Sequence, residues 1–500
     1  MPDRTTMLTQ RLKNALHNKN QPVDPHAELQ EVLGSVGLAA EDSGGEITFI
    51  GAEPLVPSTL SLASAPSVAL VAKSVGIAKL WQLRGGPGQD ISMDMRKAPH
   101  RLCPFYDRKW EKLNGLLPMA YWDPVPEPVS MPRFYQTADD RHVASVAIYP
   151  KLKTDLLQLL NATDSIESVG NKISQWKATE LEEAAAAAGV VLTKVLSVEE
   201  LMSERQFTEV LADMPLIEIE KIGDSDPEPL PLGGSAPLDG IRALGHAHII
   251  AGAGIGRTLS LHGADVLNIW DARELELPWL YATSNVGVRS SLLDFKTADG
   301  AAKMRELLRG ADIFYANRRP GYLERHGLSP EEAADIRPGI IHVSNSLFGR
   351  TGPWANRVGF DQNAGVAAGM ALLEGSHEEP MLPFIGVVND WILPWMSTVG
   401  IAAALERRAT EGGSYRIHVS LTRIALWIIS LGLFDKQHVA YTIGSDEDHK
   451  YLDPDTFTMD GPAGLYQGVT DQVQMSETPG QYPFGLMPLG SGRPEWLARP

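Results

Sequence analysis

Three groups of residues in this sequence have types and spacings that could do chemistry. The first is Val387-Val388-Asn389-Asp390, an apolar, strand-like run ending in a carboxylate and followed by an apolar helix predicted from Pro394 to Arg408. Proline suits a helix opening, where its missing N–H has no bond to make. A carboxylate delivered there is either an N-cap, which Asp often provides, or a nucleophile. The second is Gly252-x-Gly254-x-Gly256, with Asp271 further on, which approaches a dinucleotide fingerprint. That pattern wants its third glycine at Arg257, so a nicotinamide cofactor is not expected. The glycines could still let backbone N–H groups reach a phosphate at a helix N-terminus. The third is a set of cations. Residues 251–360 hold 13 Lys/Arg against 12 Asp/Glu in a chain of net charge -18, so an anionic ligand would be received there.

The rest of the chain limits what these groups can act on. Its 500 residues call for two or three domains. A hydrophobic content of 43% with 21% charged residues fits a soluble globular protein. The acidic balance argues against nucleic acid or an anionic membrane as partner, since both need clustered Lys/Arg. Cys103 is the only cysteine, which excludes an intrachain disulfide and any multi-cysteine metal site and favours the cytoplasm. Residues 1–20 lack the apolar core of a signal peptide, and the apolar run Ile424 to Phe434 is too short to span a bilayer.

The elements that must position these groups follow from periodicity and punctuation. Residues 1–45 read as a loosely attached extension with a weak helical pattern near Ala27 to Val36. Val68 to Leu83 reads as a helix closed by Gly85-Gly86, followed by a strand with Ile91, Met93 and Met95 on one face. Residues 105–129 form a Trp/Pro/Tyr-rich connection, and 130–222 a smaller α+β domain with capping boxes at Thr179-x-x-Glu182 and Ser197-x-x-Glu200 and a stop at Gly189. A linker occupies 223–236. From 237 to 435, strands near 265–270, 313–316 and 340–344 alternate with helices near 257–262 and 301–308, as in a parallel, doubly wound sheet. Residues 436–500 read as a wrapping tail.

The chain also repeats itself. Val75-Gly76-Ile77-Ala78 matches Val399-Gly400-Ile401-Ala402, Gly85-Gly86 answers Gly412-Gly413, and Ile91, Met93 and Met95 answer Ile417, Val419 and Leu421. Residues 46–125 are therefore expected to hold a second copy of the helix-strand unit around 395–425. Pro66 falls about where Asp390 would map, so one carboxylate per chain is expected.

Several motifs carry a family resemblance. They are Pro237-Leu238-Asp239-Gly240-Ile241-Arg242, His248-Ile249-Ile250-Ala251-Gly252, His262-Gly263-Ala264-Asp265-Val266, Arg319-Pro320-Gly321-Tyr322, Phe348-Gly349-Arg350-Thr351-Gly352-Pro353, Gly359-Phe360-Asp361 and Asp390, in that order. Together they resemble the family III CoA-transferases of the CaiB/BaiF type. Phe134 to Val143 is similar to that family's small domain, which normally follows the nucleotide-binding half; here it precedes it, as in a fusion of two copies or a permutation.

The resemblance implies an α/β fold, a Rossmann-like parallel sheet domain joined to a smaller α+β domain. It implies acyl-CoA:carboxylate CoA transfer with Asp390 as nucleophile, forming an aspartyl acyl anhydride and then an aspartyl-CoA thioester. A carboxylate ionised at neutral pH would need no base, but the anhydride needs protection from water, for which Phe384, Ile385, Trp391 and Trp395 are candidates. Asp361, Phe360, Gly252 and Trp391 are expected to line the site. Coenzyme A, as acyl-CoA substrate, is expected on His248, Arg273, Arg289, Arg325 and Arg357, with at most one of Arg318 and Arg319 facing it. Neither metal nor nicotinamide is expected, and a cytoplasmic homodimer is. The alternatives are an acyl-CoA racemase or isomerase, disfavoured by Phe360 where the family's racemases carry His, and a non-catalytic CoA-binding or scaffold protein.

Overall fold

The computed structural model describes residues 4–118 and 129–499, so part of the expected 105–129 connection lies outside the described residues. The chain opens with helices α1 (Arg4–His17) and α2 (Pro25–Gly34), strand β1 (Gly44–Ile50), helix α3 (Ser64–Leu83) and strands β2 (Gln89–Asp94) and β3 (Lys112–Leu113). The smaller unit follows, with β4 (Arg133–Gln136), β5 (His142–Ser145), α4 (Pro150–Leu160), α5 (Ile166–Ile173), α6 (Ala178–Ala188), β6 (Leu192–Lys194) and α7 (Val198–Ser203). After β7 (Glu218–Gly223), strands and helices alternate through β8 (Arg242–His246), α8 (Ile249–Leu261), β9 (Asp265–Trp270), α9 (Pro278–Ser284), β10 (Arg289–Leu292), α10 (Ala298–Arg309) and β11 (Ile313–Ala316). Helices α11 (Tyr322–Arg325) and α12 (Pro330–Ile336) lead into β12 (Ile341–Ser346). The last third contains α13 (Asp361–Ala368), α14 (Met370–Glu374), α15 (Ile392–Glu411), β13 (Ser414–Ser420), α16 (Leu421–Leu431), α17 (Lys436–Thr442), β14 (Thr456–Met459), β15 (Tyr466–Val469) and β16 (Val473–Met475).

Seven strands form the central sheet in the order β10-β9-β8-β11-β12-β13-β7. All neighbours run parallel except the edge pair β13/β7. This is the expected α/β class, and its strands are apolar because helices cover them. The order reverses at β8, the first strand of the alternating series, so α8 starts at the point where such sheets gather ligands.

The repeated helix-strand unit is visible in three dimensions. Helices α3 and α15 have 20 residues each, are buried almost all round and pack directly on one another. An apolar helix can be buried on every side only when other elements enclose it. Each is followed by a strand, β2 or β13, but β2 sits in a separate three-stranded sheet between β1 and β16. The tail joins the folded body: β16 completes the sheet of the first copy, and β15 pairs with β3.

Three expectations change. The first 45 residues are not loosely attached, because Leu8, Leu12, Leu29, Val32 and Leu33 are buried and Arg11 bridges Glu28 and Glu31 at 2.6 Å each. Thr179 caps nothing: α6 starts at Ala178 after Lys177, and Glu182 turns instead to the Lys194 N–H at 2.8 Å. The other capping box, Ser197 with Glu200, is present, and Gly189 ends α6 in the left-handed region. Finally, α8 begins at Ile249 rather than near Arg257, so the three glycines lie inside the helix.

Candidate functional site

Asp390 sits in the last turn before α15, and the backbone that carries it is pinned by a second carboxylate. Asp361, the first residue of α13, accepts the N–H groups of Val388 at 3.1 Å, Asn389 at 2.5 Å and Asp390 at 2.8 Å. Three consecutive N–H groups converging on one carboxylate make an anion nest. The Asn389 side chain adds a bond to the Asp361 carbonyl at 3.4 Å. Asp361 is therefore a positioning group, turned toward the backbone rather than outward.

The Asp390 carboxyl is treated differently. It is buried, and among the described residues no hydrogen bond or ion pair reaches its oxygens. It is not a cap, since α15 begins after Trp391 without a side-chain cap. Burial first, and then the neighbouring Asp361 charge, push its pKa well above the ordinary Asp value. Burial also raises Asp361, to about 6, against the pull of its three N–H donors. The donors make Asp361 the better anion, so ionising Asp390 carries the larger cost.

Trp391 and Trp395 do not wall the front of the site. Both are fully buried and stack on each other at 6.1 Å behind the Asp390 turn. The Arg101 guanidinium lies 3.7 Å over Trp391, and Arg257 lies 5.4 Å from it. Asp471 from the tail neutralises this layer, bonding Lys73 at 2.8 Å and Arg101 at 3.0 Å. Arg257 approaches Glu111 at 3.7 Å and bonds the Tyr482 hydroxyl at 2.8 Å. Ile385 is buried, whereas Phe384 is exposed and meets Tyr106 edge-on at 5.9 Å.

On the other side, the smaller unit contributes Tyr149. Its ring stacks on Phe360 at 6.2 Å, and its hydroxyl donates to Glu276 at 2.9 Å. Glu276 also accepts the N–H of Ile249 and of Leu277, each at 2.8 Å. Ile249 opens α8 with φ of 58°, a left-handed conformation costly for a β-branched residue and held here by that carboxylate. Burial, then the charges of Glu276 and Asp390, push the Tyr149 phenol up, which ties Tyr149 to the same site. Neither Tyr149 nor Glu276 stands out in the sequence, because neither belongs to a motif.

The residues expected to hold coenzyme A divide. His248 is half-buried ahead of α8, its backbone bracketed by the Asn317 amide at 3.0 and 2.7 Å. Burial, then Arg318 and Arg319, drive its imidazole to about 3, so it is neutral. Arg273 is committed to Asp271 and Asp294 at 2.8 Å each. Arg289 is held by Asp265 at 2.8 Å and covered by the Glu495 carbonyl of the tail at 2.7 Å. Arg357 pairs with Glu182 at 3.0 Å. Each of these three has a carboxylate partner within the chain, while Arg273 remains more than half exposed. Arg318 turns inward to Glu274 at 2.6 Å, whereas Arg319 and Arg325 are exposed and without an ion pair among the described residues. Gly252 is buried within α8: an added Cβ would stand 2.3 Å from the Asn317 side chain, and one on Gly254 would meet Pro394 at 2.9 Å. These glycines let α8 lie close to its neighbours.

Among the described residues, no group of three or more His, Cys, Asp or Glu could hold a metal ion, and no helix is long and apolar enough to cross a membrane. The arrangement offers one buried, unpartnered carboxyl on a pinned backbone, and Arg319 and Arg325 remain without an ion pair among the described residues.

Residues 238–476 match the description "CoA-transferase family III". Over 235 residues the chain is 30% identical to the Succinyl-CoA--L-malate CoA-transferase alpha subunit of Chloroflexus aurantiacus, covering 42% of this chain and 54% of that one. It is also 30% identical, over 208 residues, to the Acetyl-coenzyme A transferase nodX of Hypoxylon pulicicidum, covering 40% of this chain and 35% of that one. The crystal structure of a CAIB/BAIF family protein from Brucella suis is similar at 25% identity with a TM-score of 0.35, over 46% of this chain and 65% of that chain. The chain thus spans about half or less of the length of these curated relatives.

Proposed function

We propose, on the premise of the match between residues 238–476 and CoA-transferase family III, that this chain moves coenzyme A between carboxylic acids by covalent catalysis at Asp390. The observation that carries the reading is the contrast between the two carboxylates: Asp361 is bonded to three backbone N–H groups, while Asp390 is buried and bonded to none. A buried carboxyl left without partners is costly in a fold and is kept where it reacts.

In this reading Asp390 first loses its proton. Its carboxylate attacks the thioester carbon of an acyl-CoA, the C–S bond breaks, and a mixed anhydride forms as the CoA thiolate leaves. The thiolate then attacks the aspartyl carbon, releasing the donor carboxylate and leaving aspartyl-CoA. An acceptor carboxylate repeats the exchange in reverse, and its acyl-CoA departs with Asp390 regenerated. Tyr149 and Phe360 cover the reacting carbon, and Arg319 and Arg325 offer guanidinium groups to the phosphates of the nucleotide. Phe360 provides no acid or base, so proton exchange at the alpha carbon is not part of the proposal.

The proposal divides the chain into the smaller unit at 130–222, the catalytic unit at 237–435 and the N-terminal copy with its tail, assembled as a cytoplasmic homodimer. It is tested by incubating the protein with a panel of acyl-CoA donors, trapping with hydroxylamine and mapping the modified residue by mass spectrometry. Modification of Asp390 supports it and names the donor. An unmodified Asp390 with every donor, in protein shown to bind acyl-CoA, would leave a non-catalytic CoA-binding role.

A further inference from the structure

Away from Asp390, three side chains from three strands meet in a line. Ser346 ends β12, His418 lies in the adjoining β13, and Glu218 begins the edge strand β7 directly opposite His418. Ser346 Oγ is 2.9 Å from His418 Nε2, and His418 Nδ1 is 2.9 Å from Glu218 Oε2. We propose that Ser346 is a second acyl-accepting nucleophile, with His418 as its base and Glu218 as the group that orients the base, acting on activated acyl esters and thioesters.

Each part has the property its role needs. With a carboxylate facing Nδ1, the imidazole carries its proton there and presents the Nε2 lone pair to the serine hydroxyl. His418 is buried, which lowers its pKa and keeps it a neutral proton acceptor. Against burial, hydrogen bonds from His418 and Arg350 hold Glu218 ionised, at about 2. Ser346 itself is only half-buried. It stands at the C-terminal end of an internal parallel strand, the edge of a doubly wound sheet where ligands collect. The Gly349 N–H donates to Ser346 Oγ at 2.9 Å, which fixes the hydroxyl oxygen and leaves its proton for His418 Nε2.

The step balances without a further reagent. Ser346 Oγ bonds to the acyl carbon while its proton passes to His418 Nε2. The C–O or C–S bond to the leaving group then breaks, and the leaving group takes the proton from Nε2. Water, deprotonated by the same imidazole, releases the acid and restores the serine. A network that only staples β7 to β13 would have the same resting distances and would react with nothing.

The test treats the full-length protein with a biotinylated fluorophosphonate, whose fluoride is displaced by an activated serine, and maps the label by mass spectrometry. The expected result is label on Ser346, slowed by at least about a hundredfold in His418→Gln and by a smaller factor in Glu218→Gln, with melting curves verifying folded protein. Absence of label from Ser346 in folded wild-type protein overturns the proposal, as does undiminished labelling in folded His418→Gln. Acylation of Asp390 by acyl-CoA is a separate readout, so failure here leaves the CoA-transfer reading standing, and the reverse.

Discussion

Oδ2 of Asp361 accepts the backbone N–H of Asp390 at 2.8 Å, while the Asp390 carboxyl accepts nothing from any described residue. Two neighbouring carboxyls are made unequal by this geometry. Backbone dipoles solvate one, and the fold leaves the other bare.

Replacing the bare one should separate chemistry from stability. Asp390→Asn removes the nucleophile and is expected to lower exchange of labelled carboxylate into acyl-CoA by at least about a thousandfold. No hydrogen bond is lost and the cost of ionising a buried carboxyl is removed, so the melting temperature at neutral pH should hold or rise. Calorimetry beside the exchange assay reads both; a large drop in melting temperature would mean Asp390 has a structural partner.

Asp361→Asn should move the pH profile. The Asp361 charge is one cause of the raised Asp390 pKa, so removing it lets Asp390 ionise at lower pH. Single-turnover acylation, which rises with pH as Asp390 loses its proton, should begin to rise at lower pH in the variant. The amide cannot accept three N–H groups, so stability should fall by about 1–3 kcal/mol. An unmoved profile in stable protein would show that the two carboxyls do not share their charge.

Glu53 sets a slope of stability against pH. Burial raises it to about 7 from 4.5, even though it accepts the Ala63 and Ser64 N–H groups at the start of α3. A raised carboxyl contributes stability that is complete below the unfolded value and lost as pH climbs through the folded one. Between about pH 4.5 and 7, Glu53→Gln should flatten the decline seen in wild-type thermal melts. Parallel curves would contradict the assignment.

The contact between the two repeated helices is tight enough to test by compensation. A Cβ on Gly76 would stand 2.8 Å from the Ala402 Cβ. Gly76→Ala should destabilise by about 1–3 kcal/mol, and Ala402→Gly by about 1 kcal/mol through helix propensity. The double variant should lose less than the sum, as denaturant titrations will show.

Asp471→Asn leaves Lys73 and Arg101 buried without their anion. A loss of about 3–5 kcal/mol is expected, measurable by the same titrations. A loss under about 1 kcal/mol would mean the network reorganises around Glu111.

The sequence revealed the parts whose pattern is local. Strands Asp265–Trp270 and Ile313–Ala316 are short apolar runs between helices, and their bounds match expectation. The Ser197 box and the duplicated helix-strand unit were equally legible. The start of α8 was not, because Gly252, Gly254 and Gly256 read as a loop, whereas close packing against Asn317 and Pro394 is what requires them. The cations were visible but their partners were not: Arg357 meets Glu182 and Arg289 meets the Glu495 carbonyl only after the chain has folded back on itself. Tyr149 and Glu276 belong to no motif, and only folding brings them together.

The bond between Lys73 and Asp471 joins residues 398 positions apart. The anion that allows the α3 lysine to be enclosed is therefore made long after that lysine. Strand β16, which closes the first copy's sheet, comes just after Asp471. The layer behind Asp390 cannot close until that later segment has been made, so a nascent polypeptide must keep α3 open, or shielded by a chaperone, over the intervening synthesis.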